Sequence, residues 1–311
     1  MVLATITTSS GYARWTPHGH HETIGRYRFG GPAVFVHGVA FPHLAGTDGA
    51  GPYTDRGRLL VRVLGPLSVC RGDREVPIGK ARTRAVLAML IIHGNAVVPT
   101  DVIADELWSG AAPESARHAV QVAVSSLRSV LGAEQGDSTS DRLLAFPGGY
   151  MLALGHRELD VSIAEELAGK AVALADRGSL EDAENCYLTA EGLWRGPPYS
   201  EFLYSDFAQT EIRRLEEYRL GLIEDRIAVQ LDRELHHEIV PELEALVMGH
   251  PSRERMLCQL MLALYRADRP LDAELAYVRA ATQLRDEYDS IPGPSVTALA
   301  RRIHIRQLEP P

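Results

Sequence analysis

The sequence predicts a mainly helical protein with a small β component, and three observations carry that prediction. Residues 59–78 fall into short, strand-like alternating runs. Three helical segments follow between residues 80 and 131, then a hairpin closing on Phe146-Pro-Gly-Gly-Tyr150. From residue 156 onward helical periodicity is almost unbroken. Sheet, three helices and hairpin in that order predict an N-terminal winged helix-turn-helix, and the long helical run predicts an all-α, tetratricopeptide-like domain behind it.

Residues 1–57 are rich in Gly, His, Thr and Pro, are broken by Gly30-Gly31-Pro32 and Gly49-Ala-Gly-Pro52, and hold no sustained helical period. They are expected to be mostly disordered, with a short strand at Ala33 to His37, or to be an extension upstream of the true start. His18, His20, His21 and Glu22 cluster there, but a floppy segment with no second set of ligands does not favour a metal site.

Residues 58–155 form the first predicted domain. Leu59 to Leu64 and Leu67 to Cys70 flank Gly65-Pro66, and Glu75 to Ile78 follows a turn at Gly72-Asp73, giving a small antiparallel sheet. The next segment, Lys80 to His93, reads as an amphipathic helix with Val86, Leu87, Leu90 and Ile91 facing inward. Lys80, Arg82 and Arg84 crowd its start, where the helix dipole does not favour cations. They face either an anion, phosphate among the candidates, or solvent. Thr100 to Trp108 supplies the second helix and Ala119 to Leu131 the third. Residues 156–311 give seven helix candidates: Val161 to Asp176, Leu180 to Trp194, Phe207 to Leu231, Ile239 to Met248, Glu254 to Arg266, Leu271 to Tyr288 and Ser295 to Arg306. Small residues at close-packing points, as in Leu271-Asp-Ala-Glu-Leu-Ala-Tyr277, favour a repeat stack over a plain bundle.

Charge and composition narrow the function. The chain carries a formal charge of -9, but Lys and Arg exceed Asp and Glu by one in each of residues 1–57 and 58–155, so the acidity lies in 156–311. A near-neutral domain can bind DNA if its cations share one face, though weakly alone, which calls for assembly on tandem sites. The cysteines Cys70, Cys186 and Cys258 lie far apart and read as structural thiols of a reduced cytoplasmic protein. No apolar run reaches the roughly 20 residues of a membrane helix. Gly72 to Lys80 places six residues between its glycines where a phosphate loop needs four, with Ala81 where a magnesium-binding hydroxyl would stand. No enzyme activity, cofactor or metal is expected. The adjacent pair His236-His237 faces two directions on a helix.

The chain resembles the Streptomyces antibiotic regulatory protein family over about residues 58 to 307. The matching words are Val63-Leu-Gly-Pro-Leu67, Ala85-Val-Leu-Ala-Met-Leu90, Gly94-Asn-Ala-Val-Val98, Leu107-Trp108, Val120-Gln121, Val124-Ser125, Leu127-Arg128 and Gly148-Gly-Tyr150. Further along they are Leu193-Trp-Arg-Gly-Pro197, Arg214-Leu-Glu-Glu-Tyr-Arg219, His250-Pro-Ser-Arg-Glu-Arg255, Leu260-Met-Leu-Ala-Leu-Tyr-Arg266 and Pro292-Gly-Pro294. The resemblance implies an OmpR-type winged helix (58–155) and a bacterial transcriptional activation domain (156–311). It also implies activation from direct repeats near a promoter, contact with RNA polymerase holoenzyme, oligomerisation on double-stranded DNA and control of a biosynthetic gene cluster. A protein-interaction scaffold, with the acidic helical domain as its working part, is the alternative.

Advancing about 100° per residue from Val120 puts Val124, Leu127 and Leu131 on one stripe for the core. The opposite face carries His118, Val122, Ser125 and Ser129, with Ser115, Gln121 and Ser126 beside it and Arg117 and Arg128 on the shoulder. Gln121 suits adenine, Arg117 or Arg128 guanine or phosphate, and Val122 a thymine methyl. Ser115 and Ser125 suit phosphates, as do the helix starts near Thr100 and Glu114. Arg142 and Tyr150 belong to the wing, the arginine aimed at the minor groove. His118 is either a modulator of binding or a plain surface residue. Family members often carry arginine at the positions of Ser126 and Ser129, so this chain is expected to bind more weakly or to rely on neighbouring copies.

Overall fold

The computed structural model describes residues 59–132 and 142–305. The readings made above for residues 1–57 lie outside the described residues. An antiparallel sheet opens the fold: β1 (Leu59–Arg62), β2 (Ser68–Arg71) and β3 (Arg74–Val76), ordered β1-β2-β3 with Val61 opposite Val69. Then come α1 (Ala81–Ile92), β4 (Val98–Pro99), α2 (Thr100–Leu107), α3 (Ala116–Leu131), β5 (Leu143–Phe146) and β6 (Gly149–Leu152). The second sheet has the order β4-β6-β5, so the hairpin is tied to the domain body through β4. The two-residue β4 escapes sequence reasoning because its length leaves no period to read.

Helix α1 departs from the amphipathic expectation. Thr83 and every residue from Ala85 to Ile91 are buried, because α1 sits between α2 and α3 on one side and the helical domain on the other. A helix that is apolar all round belongs inside. The partner that covers its second face is α6 of the following domain.

The helical domain runs α4 (Asp160–Asp176), α5 (Leu180–Glu191), α6 (Asp206–Asp232), α7 (His236–Gly249), α8 (Glu254–Arg266), α9 (Pro270–Tyr288) and α10 (Pro294–His304). Contacts run mainly between successive helices, as in a repeat stack, with α6 long enough to reach α1 and α8 as well. Two bounds differ from the periodicity by three residues. Helix α5 stops at Glu191 instead of Trp194, ahead of Gly192, and Trp194 packs into the core from the loop. Helix α7 begins at His236 rather than Ile239 and carries Pro241 inside it, because burial of His236 anchors an extra turn.

The apolar core does not divide at residue 155. One buried cluster extends from Leu59 of β1 to Val229 of α6, and a second from Ile227 of α6 to Ile303 of α10. The junction is polar as well as apolar. Asp160, 2% exposed, accepts from the backbone N–H of Val63 at 2.9 Å and of Leu64 at 3.0 Å. The backbone N–H of Arg195 donates to the Leu64 carbonyl at 2.7 Å and that of Tyr199 to the Val63 carbonyl at 2.9 Å. Thus the words Val63-Leu-Gly-Pro-Leu67 and Leu193-Trp-Arg-Gly-Pro197 meet as two halves of one contact. Among the described residues, no helix is long and apolar enough to cross a membrane.

Candidate nucleic-acid interface

Helix α3 forms because its apolar residues recur at helical spacing, and it buries them as one stripe. Val120, Val124, Leu127 and Leu131 are each at most 1% exposed, joined by Ala116 and Ala123. The other side is open: Arg117, His118, Gln121, Val122, Ser125, Ser126, Arg128 and Ser129 are all exposed. Val122 stands out at 56% exposure, an apolar side chain in the middle of a polar face. Ser115 caps α3 without using its hydroxyl in the cap, and it and Glu114 are exposed in the approach to the helix.

Neighbouring elements add to this face. Gly79, just before α1, lies so close to α3 that a methyl on it would meet the Ser126 hydroxyl at 3.8 Å. Lys80 follows directly and caps α1 at this approach to α3. Arg82 lays its guanidinium over the Trp108 ring at 4.8 Å from the centroid, which fixes a second charge near the α2–α3 loop. Arg117 reaches Asp101 at 2.7 Å, both side chains largely in solvent, so the pair can reopen toward a phosphate. Arg128 donates from Nε to the Leu143 carbonyl at 3.3 Å, linking α3 to the hairpin while its other nitrogens remain available.

Four of the expected contact residues already have partners within the fold. Arg84 pairs with Glu201 at 2.6 Å, and that hydrogen bond raises its pKa further; the guanidinium ties α1 to the helical domain. Arg142 pairs with Glu158 at 2.7 Å across the same junction, which draws it away from the wing tip. Tyr150 packs its ring against the core. The Thr100 N–H donates to the Gly148 carbonyl at 2.8 Å, leaving its hydroxyl alone for phosphate. The sequence marked all four by type and position; their partners come from residues far along the chain or across a sheet, which local spacing does not reveal.

The hairpin is held firmly. Gly149 approaches β4 so closely that a methyl group there would fall 2.5 Å from the Val98 carbonyl oxygen. Gly149→Ala is expected to lower stability by about 1–3 kcal/mol through forced displacement of β4, read as a lower urea midpoint.

Comparison with known proteins places these elements in context. The family described as bacterial transcriptional activator domain matches residues 159–304, and that described as transcriptional regulatory protein, C terminal, matches residues 74–152. Regulatory protein DnrI of Streptomyces peucetius is 32% identical over 231 residues, covering 73% of this chain and 85% of its own. Regulatory protein AfsR of Streptomyces coelicolor is 35% identical over 250 residues, 80% of this chain and 24% of its own. Transcriptional regulatory protein EmbR of Mycobacterium tuberculosis is 35% identical over 263 residues. The match takes in 82% of this chain but 65% of EmbR, so this chain spans about two thirds of that relative and a quarter of AfsR. A solved structure of EmbR in complex with a low affinity phosphopeptide superposes with a TM-score of 0.76 at 33% identity, over 81% of this chain and 66% of that one.

Proposed function

The chain belongs to the Streptomyces antibiotic regulatory protein family of transcriptional regulators, an OmpR-type winged helix joined to a bacterial transcriptional activator domain, and on that premise we propose that it activates promoters by binding direct repeats in double-stranded DNA. The observation that carries this reading is α3, buried along one stripe and open along the other, where Gln121, Val122, Ser125 and Arg128 can meet base edges and phosphates. Residues 58–155 act as the DNA-binding domain and residues 156–311 as the activation domain, which contacts RNA polymerase holoenzyme. Repeats about one helical turn apart would set successive copies on the same side of the duplex. Tandem assembly compensates for the modest charge of each copy, now carried mainly by Lys80, Arg82, Arg117 and Arg128. Control of a biosynthetic gene cluster fits the family and sets the first promoters to try.

Selection of random duplex DNA by the full chain over a salt series tests the proposal. A spaced direct repeat should be enriched and should survive salt that removes sequence-independent binding. No enrichment even at low salt would instead favour a scaffold working through its acidic helical domain. Within the same series Lys80→Ala is expected to weaken binding evenly across sequences and to reduce the salt slope by about 1, the mark of one lost phosphate contact.

A further inference from the structure

The hairpin β5–β6 reads Leu143-Leu-Ala-Phe-Pro-Gly-Gly-Tyr-Met-Leu152 and contains no charged residue. Its nearest cation in sequence, Arg142, is engaged by Glu158. A wing built this way does not grip DNA by charge. Its tip is a two-residue turn, Pro147-Gly148, with Gly148 at φ +85°, the left-handed position that a proline-led turn requires and glycine supplies. Ala145 through Gly148 are exposed, and Phe146 stands 40% exposed at the shoulder of the turn, opposite Gly149, which offers no side chain to cover it.

That exposure sits on a rigid mount. The hairpin is tied at its turn to α2 through the Thr100 N–H and Gly148 carbonyl and to β4 through the close approach of Gly149, and at its open end to α3 through Arg128 and the Leu143 carbonyl. A pre-positioned apolar tip beside a face that can enter the major groove has the build of a minor-groove wedge, since proteins that kink duplex DNA insert Phe or Pro between base steps. We propose that Phe146, backed by Pro147, enters the minor groove next to the α3 footprint, partly unstacks one base step and bends the duplex. The inference rests on the DNA-binding reading above. It assigns this chain a specificity element at a position α3 does not touch: a flexible pyrimidine–purine step, where unstacking costs least. It also supplies binding free energy that does not depend on charge.

The test uses the full chain and a doubly end-labelled duplex carrying the repeat recovered by selection, with the bend read by energy transfer. Wild type should bend the duplex by roughly 20–90°. Phe146→Ala should bind about tenfold more weakly, the worth of one partly buried aromatic side chain, and leave the duplex straighter. Phe146→Leu should retain both properties. A rigid G·C-rich step opposite the tip should weaken wild type and leave Phe146→Ala unchanged. Because Phe146 lies outside the core, none of these substitutions should shift the melting temperature, which separates the effect from misfolding. Equal affinity and bend for wild type and Phe146→Ala would overturn the wedge. The same binding result with reduced promoter-driven transcription would also overturn it, and would turn the tip toward a protein partner. If wild type enriches no DNA at all, the DNA-binding reading fails first and the wedge falls with it.

Discussion

Asp160→Ala is expected to lower folding stability by about 3 kcal/mol and to loosen the joint between the winged helix and the helical domain. Its carboxylate accepts the backbone N–H groups of Val63 and Leu64, and both residues are fully buried. Removing the acceptor leaves two donors in a dry junction, each worth about 1–3 kcal/mol unpaired. Relaxation and water entry recover part of that, which sets the estimate near its middle. For a protein of this size the melting temperature should fall by about 6–12 °C, measured by calorimetry or by denaturant unfolding. Arg195, 4.0 Å from the carboxylate, then loses that anion, so the loop from Val63 to Leu67 should exchange its amide hydrogens faster. A change below 1 kcal/mol would mean that the joint is held by its apolar contacts and that the carboxylate is incidental.

The pH dependence of this joint has a definite sign. Burial pushes the Asp160 carboxyl above its ordinary value of 3.8, against the downward pull of the Val63, Leu64 and Val161 amides and of Arg195. A raised folded-state value means the folded protein holds the proton more tightly than the unfolded chain does. The stability linked to this group is therefore fully present below 3.8 and is lost as pH rises through the folded value. Mild acid should not open the joint through Asp160, and the gap between wild type and Asp160→Ala should be no smaller in acid than at neutral pH.

The legible parts of the fold are those whose cause is local. The stripe Val120, Val124, Leu127 and Leu131 follows from 3.6 residues per turn, and all four positions are buried. Most helices of the second domain follow from the same period. What local reading misses is made by partners far along the chain. Helix α1 reads as amphipathic, yet α6, more than a hundred residues later, covers the second face. Arg84 and Arg142 look like DNA cations because charge near a helix start or wing suits phosphate, but Glu201 and Glu158 engage them first. The words Val63-Leu-Gly-Pro-Leu67 and Leu193-Trp-Arg-Gly-Pro197 are visible as resemblances, and only the structure gives their reason, a shared set of backbone hydrogen bonds. Phe146 opens the hairpin turn Phe146-Pro-Gly-Gly-Tyr150. Its exposure depends on a glycine directly opposite, a fact of register that residue type does not carry.

Gln121→Ala and Arg128→Ala carry the second large effect, and it falls on function. Gln121 is exposed on the open face of α3 beside Val122, and a bidentate contact from such a residue to a base edge is worth about 1–3 kcal/mol of discrimination. Its loss should weaken operator binding by roughly tenfold to a hundredfold and relax the preference at one base position, while binding to unrelated DNA stays nearly constant. Arg128 behaves differently because it also holds the Leu143 carbonyl. Its removal should weaken operator and unrelated DNA together if it meets phosphate, or only the operator if it meets guanine, and the salt slope tells the two apart. Gln121→Ala leaves the core intact and should melt with wild type, whereas Arg128→Ala also gives up the bond to the Leu143 carbonyl and should melt slightly lower. The double variant should approach the sum of the single effects if the two side chains contact separate base pairs. If both variants bind the selected operator as wild type does, the open face of α3 is not the reading surface, and the family's activity would have to reach the promoter through another part of this chain.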